Sequence, residues 1–334
     1  MATLALIGAA HIHTPNFVKK MAERADVTVK YVWDHDAARA AKNASQLPGA
    51  SVMDLDTILA DKSVSAAVVC SETIRHEELV PAICKKKKHL FVEKPLGIGS
   101  ADSKKMLKAI EKARVLFQTG YMSRGDPIRQ FLKEQIAKGG FGKITHLSMS
   151  NCHSGTLGRW FDTDWRWMAD PAQSGVGAFG DLGTHALDIL IWWMGEVESC
   201  TADVSVVLGH YGPCDESGQG ILKFVNGATA NIFAGWASVA NPIQLEISGT
   251  EGHACQVNGQ LYFNSKHVEG ADGKQPWTQL PPAWPHAFDL FLDAINGKQG
   301  VPLVSPAEAA YRGVVMEAMY AGAQTRKWVK PKGL

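Results

Sequence analysis

Short apolar runs alternate with helical stretches over the first 121 residues, and this alternation restricts the fold more than any other feature. Thr3–Ile7, Val27–Trp33, Ser51–Val52, Ala66–Cys70, Leu90–Val92 and Leu116–Tyr121 read as strands. Thr14–Arg24, Leu55–Leu59, Glu77–Cys84 and Ser100–Lys112 read as helices between them. Several of the runs are apolar throughout, as expected of strands covered on both faces. Strands separated by helices in this way close into a parallel, doubly wound α/β sheet.

The first strand ends at Gly8, and the chain continues Ala9-Ala10-His11-Ile12-His13-Thr14-Pro15. Thr14 is placed to cap the next helix and Pro15 to open it. The second strand is followed at once by Asp34. A strand, a glycine turn, a helix, a strand and an acid make the order of a dinucleotide-binding unit. The glycine pattern itself is eroded, since Ala10 and His13 stand where G-x-G-x-x-G has its second and third glycines. Asp34 can accept hydrogen bonds from the adenosine ribose and would repel a 2′-phosphate, which favours NAD over NADP. It can equally serve as the N-cap before Ala37. Arg39 lies a turn away and keeps NADP open. His11 and His13 can donate to a phosphate oxygen or simply pack between helix and strand.

The fifth apolar run ends in Glu93-Lys94-Pro95. Pro95 cannot donate to a ladder and holds Lys94 extended, so the strand stops there. A carboxylate and an amine at the carboxyl end of a buried strand stand where open α/β sheets bind ligands. Lys85–Lys88 just before it is expected to be a solvated helix end.

Beyond residue 121 the texture changes. A helix over Pro127–Lys138 precedes alternating stretches at 144–152, 200–208, 220–224, 228–234, 243–249 and 253–263. Asn226-Gly227 and Asn258-Gly259 are hairpin signals. These predict an α+β domain over residues 122–334 with a large, mostly antiparallel open sheet, after a first domain over 1–121. Helices at 288–295 and 306–326 close the chain, and the last of them can pack back on the first domain. Helical spacing over Phe179–Met194 puts Asp181, His185 and Asp188 on one face. An Asp one turn before a His can orient it for acid–base work.

The formal charge of +1 gives no reason to expect nucleic acid or a membrane as partner. Six scattered cysteines without a C-x-x-C pair suggest a reducing compartment, and a cytoplasmic location is expected. No apolar run reaches the roughly 20 residues of a membrane span. His11-x-His13 and Asp181 with His185 lack a recognised metal-ligand spacing, so no metal is expected.

Glu93-Lys94-Pro95, Gly120–Pro127, Trp165-Arg166-Trp167 and Gly175–Asp188 resemble, in order and spacing, the glucose–fructose oxidoreductase / inositol dehydrogenase / rhizopine-catabolism (Gfo/Idh/MocA) family. The resemblance implies a Rossmann domain, a second α/β domain whose open sheet often joins copies into dimers or tetramers, and NAD(P)-linked oxidation or reduction of a sugar or polyol. It implies Lys94, Asp181 and His185 as catalytic residues. It places the cofactor against Gly8, Ala10, His11, Ile12 and His13, against Asp34 and Arg39, and against Ser71, Glu72, His76, Glu93, Lys94 and Arg124. Substrate contacts would come from Lys94, Tyr121, His153, Arg166, Asp181 and His185, with Arg159 and Trp160 as further pocket candidates. The second strand-end loop departs from the family's Thr-Pro-Asn and reads Ser71-Glu72-Thr73. Two other uses of the same fold are a glycoside-cleaving enzyme that oxidises its sugar transiently and retains NAD, and a non-enzymatic NAD-binding sensor.

Overall fold

A computed structural model describes all residues 1–334. The first half is β1 (Ala2–Ala9), α1 (Thr14–Glu23), β2 (Val27–Trp33), α2 (Ala37–Ala44), β3 (Ser51–Val52), α3 (Leu55–Ala60), β4 (Ala66–Cys70), α4 (His76–Lys85), β5 (His89–Val92), α5 (Gly99–Ala113) and β6 (Phe117–Thr119). The six strands pair in the order β3-β2-β1-β4-β5-β6, all parallel. The order reverses between β1 and β4, and the carboxyl ends on either side of that point frame a crevice for a ligand. Gly8 lies there with φ +74°, and a Cβ on it would stand 2.7 Å from the Ser71 backbone. Only glycine lets the β1 and β4 loops approach this closely.

The second half continues with α6 (Pro127–Ala137), β7 (Ile144–Cys152), α7 (Pro171–Ser174), α8 (Ala178–Met194), β8 (Val197–Ser205), β9 (Ser217–Phe224), β10 (Thr229–Gly235), β11 (Ile243–Gly249), β12 (Gly252–Val257), β13 (Gln260–Ser265), β14 (Asp272–Pro276), α9 (Ala287–Ile295) and α10 (Pro306–Thr325). Eight strands run β14-β13-β12-β11-β7-β10-β9-β8, antiparallel except for the β7–β10 pair. Alternation along β9 sends Gly218, Gly220, Leu222 and Phe224 inward and leaves Gln219, Ile221 and Lys223 outside. α8 covers the inner face, so its apolar residues Phe179, Leu187, Ile189 and Leu190 are fully enclosed. Asn258 and Gly259 both take positive φ, the two-residue hairpin that their sequence predicts. At Asn226-Gly227 only the glycine does, and the Asn226 side chain instead accepts the Ala228 N–H.

The last two helices join the two sheets. Phe288, Phe291 and Leu292 of α9 belong to the core around Phe17 and Phe91 on one face of the parallel sheet. α10 puts Ala309 and Ala310 into the core on its other face, then Val315, Met316 and Met319 into the core of the second sheet.

Three local expectations change. Thr14 is not the cap of α1, because the N-cap position is His13 and makes no side-chain bond. Asp36, not Asp34, caps α2 by accepting the Ala38 and Arg39 N–H groups. Lys88 leaves the solvated lysine run: it is buried, and its amine donates to the Asp61 and Val64 carbonyls. An enclosed ammonium needs such oxygens around it.

Candidate active site

Lys94 and Asp181 come from different halves of the chain and meet. Lys94 Nζ lies 2.6 Å from Asp181 Oδ1, and the Trp236 indole N–H donates to Asp181 Oδ2 at 3.1 Å. Lys94 stands two residues past the end of β5, before a cis bond to Pro95, and Asp181 stands in the first turn of α8. Burial alone would push the Asp181 carboxyl up, but the Lys94 ammonium outweighs burial and holds it below the usual carboxylate range. His185 follows one turn later. Burial, aided by the Lys94 charge and opposed by Asp181, lowers its imidazole to about 3, so it is neutral near pH 7. Asp181 makes no hydrogen bond to this ring, contrary to what the i, i+4 spacing predicted; its oxygens turn to Lys94 and Trp236 instead. The Tyr121 ring stands edge-on to it, 6.2 Å between centroids. A neutral imidazole, an ammonium and a fixed carboxylate thus lie near one another.

The third acid of that helix face goes elsewhere. Asp188 is buried and takes Arg124 Nε and a second Arg124 nitrogen at 2.9 and 2.6 Å, plus Arg312 Nε at 2.9 Å. Arg124 also reaches Glu308 at 2.8 Å. Two guanidiniums and two carboxylates balance in a ring around Asp188, and Arg124 is engaged there with both of its carboxylate partners.

The crevice above β1 is a cleft of about 450 Å³ lined by Ala9, Ala10, His11, Thr14 and Pro15, by Arg39, Lys42 and Asn43 of α2 and Gln46 just beyond it, with Thr163–Trp165 as its roof. The Trp167 indole N–H donates to the Ala10 carbonyl at 3.0 Å. Lys42 faces Asp164 across the opening at 3.6 Å. His11 also lines a smaller cavity with Thr73, Lys94, Pro95 and Asp181. The buried His11 is therefore the wall shared by the dinucleotide cleft and the small cavity at the Lys94–Asp181 pair. Thr14 Oγ1 is buried at the start of α1 without any partner, as a hydroxyl awaiting an anionic oxygen would be. The cleft fits a dinucleotide.

Its details differ from the sequence reading. The Asp34 carboxylate is fully enclosed and already accepts the Ala9 and Asp36 N–H groups and both arms of Arg39, at 2.7–2.9 Å. It has no lone pair left for a ribose in this arrangement. Arg39, held also by Glu72 at 2.9 Å, presents its guanidinium to the cleft instead.

His11 and His13 both turn toward Glu93. His13 Nδ1 is 3.0 Å from Glu93 Oε1, and His11 Nε2 is 3.9 Å from Oε2, which also accepts the Lys94 N–H. Burial pushes the Glu93 carboxyl up, yet His11, His13 and Lys94 together hold it below its usual range. His11 is lowered to about 3 by burial, against the pull of Glu93. These three side chains bring ligand-type atoms within 4.8 Å of one another. His11 Nδ1, however, accepts the His13 N–H at 3.2 Å, which puts the ring proton on Nε2. That nitrogen then has no lone pair for a metal, and the trio is a hydrogen-bonded brace.

The remaining candidates divide. Ser71 is buried behind Gly8, and Ile12 packs toward the second core. His76 is buried with Nδ1 on the Leu96 carbonyl, so it supports the Lys94 loop from beneath and does not face the cleft. Tyr121 is enclosed, its hydroxyl on Thr184 Oγ1 at 3.1 Å, and it backs His185 rather than a substrate. His153 is half-buried and stacks on the 40 % exposed Trp160 at 4.7 Å, an aromatic wall near the reacting groups. Arg166 is exposed and lies over the Tyr211 ring at 4.7 Å. In the 3-10 turn Arg166–Ala169, Trp167 turns inward and Arg166 is carried outside, as is the exposed Arg159, which pairs with Asp162.

Residues 2–121 match the sequence model of an oxidoreductase family with an NAD-binding Rossmann fold, and residues 130–255 match the GFO/IDH/MocA C-terminal domain. The chain belongs to the GFO/IDH/MocA oxidoreductases, and residues 2–121 are its NAD-binding domain. Myo-inositol 2-dehydrogenase of Thermotoga maritima is 32% identical over 212 residues, 60% of this chain and 58% of that protein. Levoglucosan dehydrogenase of Pseudarthrobacter phenanthrenivorans is 25% identical over 60% of this chain and 57% of its own length. The matched stretches thus span under three-fifths of these two relatives. Inositol 2-dehydrogenase of Rhizobium meliloti is 24% identical over 92% of this chain and 96% of its own. Among solved structures, a levoglucosan dehydrogenase in complex with NADH superimposes with TM-score 0.79 at 20% identity, covering all of both chains. An NAD-binding oxidoreductase from Klebsiella pneumoniae gives 0.80 at the same identity and full coverage. These last two likenesses establish the fold. No helix of the chain is long and apolar enough to cross a membrane.

Proposed function

We propose that the protein is an NAD-dependent dehydrogenase, or the matching ketone reductase, acting on a secondary hydroxyl of a sugar or polyol. The observation that carries this is the placement of the Lys94–Asp181 pair, with His185 one turn on, directly behind the His11 wall of the dinucleotide cleft. Removing hydrogen from an alcohol needs a base for the hydroxyl proton, a cation for the developing alkoxide and a hydride acceptor. Neutral His185 takes the proton. Lys94, aimed by Asp181 and Trp236, steadies the oxygen. Bound NAD supplies the hydride acceptor. Thr14 and the β1 loop would hold its phosphates, with Arg39 toward its adenosine end. The His153–Trp160 stack offers a flat apolar face of the kind that suits a sugar ring. The relatives named for inositol and levoglucosan point to cyclic, polyhydroxylated substrates.

We further place copies of the chain together through the uncovered face of the second sheet, where Ile221 and Ile243 are exposed. Six unpaired cysteines suit a reducing, cytoplasmic setting.

The test is incubation with NAD and a panel including myo-inositol, levoglucosan and simple glycosides, following NADH absorbance and products together. NADH formation lost in Lys94→Ala and in His185→Ala supports the reading. Glycoside cleavage without NADH would favour transient oxidation with retained cofactor. NAD binding with no turnover of any compound would favour a sensor.

A further inference from the structure

Two helices begin beside the Lys94–Asp181 contact, and neither caps itself. α5 starts shortly after Lys94 behind Ile98, whose side chain makes no capping bond. α8 starts just before Asp181 behind Gly177, which has no side chain to offer. The two ends converge, because a Cβ on Gly175 would press on the Ile98 side chain at 2.9 Å. The first N–H groups of a helix lack intrahelical partners, and an end left bare frays.

Both caps arrive from α10. The Glu317 carboxylate accepts the Ser100 N–H at the start of α5. One turn further along, Tyr320 Oη accepts the N–H groups of Gly177 and Gly180 at 3.2 and 3.0 Å. The same hydroxyl donates to Asp215 Oδ2 at 2.9 Å. Asp215 spends its other oxygen on the Phe179 N–H at 2.8 Å and its carbonyl on the Ala178 N–H at 2.9 Å. The start of α8 is therefore closed by a phenol and a carboxylate that are both remote in sequence. α10 itself cannot slide. A Cβ on Gly313 would meet Ser103 of α5 at 2.6 Å, one on Gly322 would meet Thr201 of β8 at 2.8 Å, and Arg312 is tied to Asp188 of α8.

We propose that Tyr320, acting with Asp215, and Glu317 are positioning residues that together set the span between Lys94 Nζ and Asp181 Oδ1. One rigid helix holds the start of α5, and so the Lys94 loop, in fixed register with the start of α8, and so Asp181. The catalytic meaning rests on the dehydrogenase reading; the geometric claim does not.

Tyr320→Phe tests this with little else disturbed, since the ring still lies 5.9 Å from Phe179. The probe is acetic anhydride, with acetylation of Lys94 measured by peptide mass spectrometry against the exposed Lys108. Lys94 is 3 % exposed and ion-paired, hence protected. Tyr320→Phe removes the bonds accepted from Gly177 and Gly180 and the one donated to Asp215, so labelling should rise at least about fivefold, the worth of a single typical net hydrogen bond. Glu317→Ala should do the same, and Glu317→Gln, whose amide oxygen still accepts from Ser100, should restore protection. On a substrate that the polyol panel identifies, Tyr320→Phe should lower kcat and leave NAD affinity unchanged. Unchanged Lys94 labelling in both Tyr320→Phe and Glu317→Ala, with only a lower melting temperature, overturns the proposal. So does a Glu317→Gln variant as reactive as Glu317→Ala. Because labelling needs no substrate, failure here is distinguishable from failure of the dehydrogenase reading.

Discussion

The buried neutral histidines make a quantitative claim about acid. His11 and His185 are both held near 3 in the folded chain, against about 6.5 when unfolded. As pH falls through 6.5, the unfolded chain binds a proton at each ring and the folded chain does not. Each ring's contribution to stability is therefore complete above that pH and drains away below it. At pH 5, about 1.5 units under the unfolded value, each has lost ~2 kcal/mol at ~1.4 kcal/mol per unit. The pair accounts for ~4 kcal/mol, a large share of a typical 5–15 kcal/mol total. Glu93 and Asp181 are held low, and their contributions are lost only below about pH 4.5, so neither contributes between pH 7 and 5. His11, only 2 % exposed, gives the cleaner measurement. Urea unfolding followed by far-UV circular dichroism at pH 7, 6 and 5 should show a falling midpoint. His11→Asn, which keeps an acceptor for the His13 N–H, should lose ~2 kcal/mol less than the parent between pH 7 and 5. Other lowered histidines (His76, His89, His153 and His286) add to both slopes and cancel in the difference. Parallel slopes for parent and variant would refute the reasoning.

Three more outcomes are expected. Asp188→Asn leaves Arg124 and Arg312 facing each other without their shared carboxylate, and stability should fall by about 3–5 kcal/mol, read as a melting point lowered by roughly 10 °C; a loss under ~1 kcal/mol would contradict it. Gly8→Ala must hold an L side chain at φ +74° against Ser71, and calorimetric titration should show NAD affinity reduced at least about tenfold. Arg39→Ala strips Asp34 and Glu72 of their counter-charge, so NADP binding should weaken more than NAD binding; an unchanged affinity ratio would remove Arg39 from cofactor discrimination.

What could be read from the sequence was what depends on local period and order. Alternating strands and helices gave the parallel sheet, Glu93-Lys94-Pro95 marked the end of β5, and 3.6-residue spacing placed Asp181 and His185 together on α8. What escaped depends on partners distant in the chain. Arg124 looked free for a cofactor until α8 and α10 folded Asp188 and Glu308 against it. Arg39 stands five residues after Asp34, a spacing that carries no strong pairing signal, yet it takes both oxygens of that acid. Trp165-Arg166-Trp167 gives no hint of which residue a 3-10 turn will push outward. His11 and His13 read as phosphate-loop residues because Glu93, their actual partner, lies eighty positions on. Tyr320 and Glu317 carry no local motif at all, since what they cap begins more than a hundred residues earlier.

The contributions of α9 and α10 to the parallel sheet bear on how the chain is made. All six strands of that sheet leave the ribosome by Thr119, but the faces they must bury are covered by Phe288, Phe291, Leu292, Ala309 and Ala310. About 190 residues separate the last strand from the last of those side chains, roughly 10–40 s of synthesis at 5–20 residues per second. Through that interval the nascent sheet carries apolar surface on both faces, and the eight-stranded sheet emerges beside it. Translation speed across residues 120–310, and chaperone supply during it, should therefore govern the yield of folded protein more strongly than the stability of the finished molecule would suggest.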